Sequence, residues 1–214
     1  MADDILEYWM AEARELASRF NVEEFDKSSA FWNWDNFGKE IVKLKKVLNL
    51  GEEYLDILGL RVDFETGKTE DLLTGKEFQT SRLLPHLYYY TKAKDVGVAG
   101  EWSKYNALQG SWACRYSYDE EDIKALTTVF LEKREQLFDT LERLGAKRVD
   151  HGDAGFELEF LPKVKVLIIF EDEDDEFPAS VRLLYDKNSI YYQPHEMLGE
   201  ISWFLASRVF KALA

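Results

Sequence analysis

Apolar positions along the chain switch between a period near 3.6 and a period of two, and the switches divide it into helices and strands. Residues 1–20 carry Ile5, Trp9, Leu16 and Phe20 on one helical face, with Glu7, Glu12, Arg14 and Glu15 mostly off it, which predicts an amphipathic helix. Phe31-Trp32-Asn33-Trp34 reads as a strand entering a turn at Asn36-Phe37-Gly38-Lys39, with Glu40 to Leu44 as its return strand. A second hairpin is better marked. Tyr54 to Leu58 leads into Leu60 to Phe64, and Glu65-Thr66-Gly67-Lys68 supplies the turn that follows.

A helix is predicted from Ser81 to about Lys94, with Leu84 as an alternative start that would place Pro85 near its first position. Gly97 and Gly100 end it and open a loop. The next helix has signals at both ends: Ser117 and Glu120 at capping-box spacing, carboxylates from Asp119 to Asp122, and Gly145 just past the last turn. Between them Ile123, Leu126, Phe130, Leu137, Leu141 and Leu144 keep the helical period. Phe156, Leu158 and Phe160 alternate with Glu157 and Glu159 as a half-exposed strand does. Lys163 to Phe170 becomes continuously apolar, the mark of a central strand covered on both faces, and Val181 to Tyr185 returns after an acidic connection. Pro194 opens a last helix with Leu198, Ile201, Leu205 and Val209 as its buried stripe. Together these predict an α+β fold, mainly antiparallel sheet(s) with long amphipathic helices packed on them. A single domain over 1–214 is expected, with a looser division into a hairpin-rich part (1–115) and a helix–meander–helix part (116–214).

Charge narrows the function classes. The 214 residues carry a net charge of −14, so a nucleic-acid partner and adsorption to an anionic membrane are both disfavoured, since each needs clustered Lys and Arg. The two acidic blocks, Asp119 to Asp122 and Glu171 to Glu176, account for most of that charge. Six consecutive carboxylates at 171–176 can attract a hard cation, but they lack the glycine and terminal Glu of an EF-hand loop. The plainer expectation is a solvated tip between two strands. The acidic start Met1-Ala2-Asp3-Asp4 is unlike a secretory leader, and no apolar run approaches a membrane span, so the cytoplasm is the default address.

Candidate chemistry is sparse. A single cysteine, Cys114, excludes an intramolecular disulfide and any all-cysteine iron–sulfur or zinc site; Trp112 and Tyr116 beside it suggest a buried, inert thiol. Three histidines, His86, His151 and His195, form no local metal motif, and no nucleophile elbow or glycine-rich phosphate loop occurs. The string His151-Gly152-Asp153-Ala154-Gly155 predicts a tight turn, with His151 structural. His195 begins a helix, where the macrodipole favours the neutral imidazole; the plain expectation for it is a surface residue. Aromatic residues are numerous, with 6 Trp, 11 Tyr and 14 Phe, and they cluster at Phe31–Trp34, Tyr88-Tyr89-Tyr90 and Tyr191-Tyr192. Such clusters serve either a core or the walls of a planar-ligand site. Helical spacing predicts that at least one of Tyr88 to Tyr90 lies outside or lines something.

Two strings resemble a known family. Gly100-Glu101-Trp102 with Tyr105, Leu108 and Gly110 is similar to a Gly-Glu-Trp-x-x-aromatic-x-x-Leu-x-Gly pattern. Phe177-Pro178-Ala179 through Leu184, Asp186 and Tyr192-Gln193-Pro194-His195-Glu196-Met197-Leu198 resembles a Phe-Pro…Leu-x-Asp…Tyr-x-Pro-x-Glu-x-Leu pattern. Both belong to domain-of-unknown-function family 3786, from anaerobic bacteria and archaea, over roughly residues 60 to 210. Some relatives carry a cysteine-rich segment for an iron–sulfur cluster, which one cysteine here cannot provide. Tyr88 stands near a family histidine, and His195 where relatives tend to carry a small hydroxyl residue, so a metal or catalytic role at either is weakened. The aromatic excess, the lack of a catalytic motif and the setting that the resemblance implies together predict a non-enzymatic ligand-binding or accessory protein of anaerobic cofactor metabolism. Its ligand would be a planar molecule such as a corrinoid or tetrapyrrole, held by Tyr89, Trp102, Tyr192, His195 and Glu196. Two alternatives stand beside it: a protein–protein adaptor using the acidic runs, and an enzyme with a dispersed acid–base site at Glu101, Tyr192, His195 or Glu196. The cofactor and the oligomeric state are left open.

Overall fold

The computed structural model describes residues 2–20, 31–47, 53–108 and 120–214. Cys114, Trp112, Tyr116, Gly110, Ser117 and Asp119 lie outside the described residues. The N-terminal helix α1 (Ala2–Phe20) buries Ile5, Trp9 and Leu16 as the pattern predicts. Two hydrogen bonds pin it across the fold: Trp9 Nε1–H donates to the Ile190 carbonyl and Tyr8 OH to the Lys92 carbonyl, each at 2.7 Å.

The hairpin expected over residues 31–44 is absent. The chain forms α2 (Trp34–Ile41) and the short α3 (Leu44–Val47) instead. The reason is local. Asn33 has extended backbone and its side chain accepts the Asn36 N–H at 2.9 Å, which makes it an N-cap. Phe37, Ile41 and Leu44, all buried, then follow a spacing of four and three, the helical one. Trp34 lies against Gly67, whose φ is +71° and where a Cβ would come within 2.2 Å of the indole. That glycine serves both the turn and the close approach.

A four-stranded antiparallel meander follows: β1 (Tyr54–Ile57), β2 (Leu60–Asp63), β3 (Thr69–Asp71) and β4 (Lys76–Phe78), in spatial order 1-2-3-4. Leu58 and Gly59, with φ of 48° and 70°, turn the first hairpin. The Asp63 carboxylate accepts the N–H groups of Glu65 and Thr66 in the predicted turn. Helix α4 starts at Leu84 with Pro85 in its first turn, and it ends at Tyr90, short of the expected Lys94. All seven of its residues are buried, so Tyr88, Tyr89 and Tyr90 are all inside, contrary to expectation. The helix is covered on every side: Tyr88 packs on Phe37, Tyr89 on Trp9, Tyr90 on Tyr192, and His86 between Phe160 and Phe204.

The second sheet has the order β5-β9-β8-β7-β6, antiparallel throughout. Its strands are β5 (Trp102–Lys104), β6 (Lys147–Val149), β7 (Ala154–Leu161), β8 (Val164–Glu171) and β9 (Ser180–Asp186). β8 is central, as its continuous apolar run predicts, whereas β5 and β6 are too short to leave a period in the sequence. Helices α5 (Glu120–Arg143) and α6 (His195–Leu213) pack on one another, and α5 also lies on β9. α5 is kinked at Lys133 and stops at Gly145, φ +96°. The acidic run forms the β8–β9 connection; Asp174 accepts the N–H groups of Glu176 and Phe177, Glu171 pairs with Arg182 and Asp172 with Arg134. Among the described residues no cluster of three or more His, Cys, Asp or Glu side chains is arranged to hold a metal ion, and no helix is long and apolar enough to cross a membrane.

The four-stranded sheet is tied to α6 through a buried ion pair. Arg208 of α6 and Asp71 of β3 are both fully buried; the guanidinium donates to both Asp71 oxygens and, through Nε, to the Leu58 carbonyl at 2.9 Å. Hydrogen bonding to Arg208 holds the Asp71 carboxyl well below the usual carboxylate range, against the burial that would raise it. A depressed folded-state value means the contribution to stability is complete above about pH 4 and is lost as pH falls through that depressed value. Asp71→Asn strands a buried cation and should cost about 3–5 kcal/mol by urea unfolding at neutral pH. Its acid-unfolding profile should also lose the Asp71 component; an unchanged midpoint would refute the assignment.

Candidate functional site

The two strings that carry the family resemblance meet in space. β5 lies within the first of them and pairs with the end of β9, Trp102 opposite Asp186 and Lys104 opposite Leu184. One residue further out the Lys187 N–H donates to the Glu101 carbonyl at 2.9 Å, and the Lys187 ammonium bonds the Glu101 carboxylate at 2.6 Å.

Asp186 organises this junction. Its carboxylate is fully buried and accepts the N–H groups of Ala99 (3.0 Å), Gly100 (2.7 Å) and Asn188 (2.9 Å). Three aligned backbone donors are what allow an anion to be buried there. The loop from Asp95 to Gly100 is held at its other end by Tyr192, whose hydroxyl accepts the N–H groups of Val96 and Gly97 and donates to Asp95. Lys163 closes on Asp95 at 2.6 Å, and the Asn188 amide donates to the Gly97 carbonyl. The bonds from Lys163, Tyr192 and Gly97 lower the Asp95 pKa, while burial first, then the bond to Asp95, raise that of Tyr192.

His195 is buried, not on the surface as its position at a helix start suggested. Its ring lies 4.1 Å from the Tyr105 ring, centroid to centroid, and Nε2 is 3.1 Å from the Tyr105 carbonyl. A carbonyl only accepts, so Nε2 carries the proton and Nδ1 the lone pair. Burial pushes the imidazole pKa down, which keeps it neutral at pH 7. Nδ1 has no hydrogen-bond partner among the described residues. Tyr105 OH reaches back to the His195 carbonyl at 3.2 Å, so each residue holds the other's backbone.

The residues expected from the sequence are thus dispersed. Tyr192 faces the 95–100 loop, His195 faces Tyr105, and Glu101 pairs with Lys187 at the surface. Tyr89 is buried against α1, its hydroxyl pushed to high pKa first by burial and then by the Glu196 charge. Trp102 is half-buried on β5 and Glu196 is exposed on the first turn of α6. Asp95, Asn188 and Lys163 were not anticipated; an Asp two residues before an Asn, where the side chain caps a 3-10 turn, was the one local signal present.

Beside the junction lies a groove of about 260 Å³. Its floor is Val181–Leu184 of β9, and its walls are Lys104, Tyr105 and Asn106 on one side and Glu120 and Ile123 of α5 on the other. Val181 and Leu183 belong to the core face, while Arg182 and Leu184 point to the opposite face. Residues of both faces line one groove, so it runs along the edge of the strand.

A sequence model of the family described as Domain of unknown function (DUF3786) matches residues 54–208. The chain belongs to this family. No curated protein and no solved structure matches it. The family region holds both strings, the junction at Asp186 and the groove, while α1, α2 and α3 precede it. In this family member Tyr192→Phe removes the acceptor of two loop amides and the donor to Asp95. The Val96 and Gly97 amides should exchange faster with deuterium, with a loss of about 1–2 kcal/mol in global stability; unchanged exchange would show that the loop is held by something else.

Proposed function

We propose that this member of the family is a non-enzymatic binding protein whose site is the groove beside β9. The observation that carries the reading is the groove's position, against β9 beside the place where the two family strings are locked together. The polar groups nominated for acid–base work support it from the other direction. Glu101, Tyr192 and His195 each satisfy a different structural partner, and no two of them share one. A corrinoid, a tetrapyrrole or another planar molecule is one class of occupant, for which Tyr105 supplies the ring in the groove wall. A polypeptide is the other class. A protein adaptor acting through the acidic β8–β9 connection is a second reading, favoured by Phe177, which stands 66% exposed among those carboxylates.

Calorimetric titration with hydroxocobalamin, with hemin and with peptides selected from a random display library tests the proposal. At least one should give a saturable isotherm that Ile123→Arg weakens by roughly tenfold or more, since a charge is then forced into the groove wall. Circular dichroism of the variant should be unchanged. Flat titrations throughout, or binding indifferent to Ile123→Arg, would overturn the groove as the site.

A further inference from the structure

We propose that the outer face of α6 receives a second copy of this chain, helix against helix and antiparallel, about a twofold axis near Ser207. The pattern of exposed positions carries it. From Trp203 to Phe210 the outward positions are Trp203, Ser207 and Phe210, and the two aromatic residues are 37% and 44% exposed. The one charged residue in that stretch, Arg208, points inward to Asp71. The other long helix treats its outer face in the usual way, with Glu132, Arg134, Glu135, Asp139 and Glu142 of α5 all exposed. Two large rings two turns apart on one helical face, with no charge between them, mark a surface for another protein. Phe78 of β4, half-buried, widens the apolar surface on one side, its ring 6.5 Å from that of Phe204.

Charge decides the occupant. The chain carries −14 in total, so acidic parts of its surface repel a second copy. The outer face of α6 is divided instead. Its N-terminal half carries Glu196 and Glu200, and Asp122 of α5 lies beside it, bonded to Ser202. From Trp203 onward cations stand along the face: the Arg82 guanidinium lies 4.9 Å over the Trp203 ring, and the Lys211 ammonium is 5.4 Å from the Phe78 ring and 3.2 Å from Asp71. A twofold axis across the helix sets the acidic half of each copy beside the basic half of the other. A parallel arrangement would bring Glu196 and Glu200 against their own copies, and would align the helix dipoles rather than oppose them. Sterics agree. Trp203 and Phe210 bracket Ser207, so the same axis lays Trp203 against the partner's Phe210 and Phe210 against the partner's Trp203. Ser207 is small enough for the helix axes to approach to about 8–10 Å at the crossing. Its hydroxyl already donates to the Phe204 carbonyl at 2.9 Å, so covering it strands no donor.

Sedimentation velocity of the full chain over a micromolar concentration range tests the proposal. A reversible monomer–dimer equilibrium is expected. Phe210→Glu should weaken it by roughly tenfold or more, because a charge from each copy then enters the contact, while the circular dichroism spectrum stays unchanged. Two further variants read the geometry under mild oxidation, with the unsubstituted chain and its Cys114 as the control. Ser207→Cys should give a covalent dimer linked through the introduced thiols, identified by peptide mass mapping, because the axis brings the two copies of that position together. Glu196→Cys should give none, because its two copies lie at opposite ends of the paired helices. A chain that stays monomeric throughout the range would refute the proposal, and so would a dimer indifferent to Phe210→Glu. Linkage through both introduced thiols would overturn the antiparallel arrangement alone. A dimer weakened by Phe210→Glu yet unlinked through Ser207→Cys would rule out the axis near Ser207.

Discussion

A buried carboxylate that makes no ion pair among the described residues is tolerable only if hydrogen-bond donors converge on it, and Asp186 has three. Those donors come from two segments nearly ninety residues apart in sequence, so satisfying one side chain fixes where the 95–100 loop, β5 and the turn into α6 must lie. Tyr192 and Asn188 then pin the far end of the same loop. The registration of β5 on β9 follows from this. The groove lies where β9 runs on past the pairing with Lys104.

The core solves a different problem. An α-helix of seven buried residues carries no polar face, and α4 is stable because four other elements each cover one side of it. Its tyrosines show how the polar tips are handled: Tyr90 donates to the Pro162 carbonyl, while burial raises the pKa of all three hydroxyls and keeps them neutral. At the other end of the molecule, Arg208 and Asp71 tie the small sheet to α6. A buried pair of this kind is weak evidence of added stability, but it penalises any packing in which the sheet and the helix are displaced.

Legibility in the sequence followed element length. α5, α6, β7, β8 and β9 each span enough residues for their period to show, and all were readable. β5 and β6 have three residues and no period. α2 was misread because Phe31-Trp32-Asn33-Trp34 resembles a β-rich string, while the deciding signal was a single capping asparagine. The expectation that one of Tyr88 to Tyr90 must be exposed assumed a helix at the surface of a layer, which α4 is not. His195 failed in the same way: a helix start is usually exposed, but Tyr105 closes over this one.

Local sequence was enough for the α+β class, for the antiparallel pairing of the long strands and for the helix boundaries marked by Pro194, Pro85 and Gly145. Period, capping and turn chemistry act within a few residues, and so they can be read there. The sharing of a carboxylate between Asp186 and the 99–100 amides, the enclosure of α4 and the pairing of β5 with the end of β9 all depend on segments far apart in the chain. The pairing of β5 is the clearest case. Nothing within Trp102–Lys104 names β9 as its partner, because the register is set by the contacts of Asp186 with a loop far away in the chain.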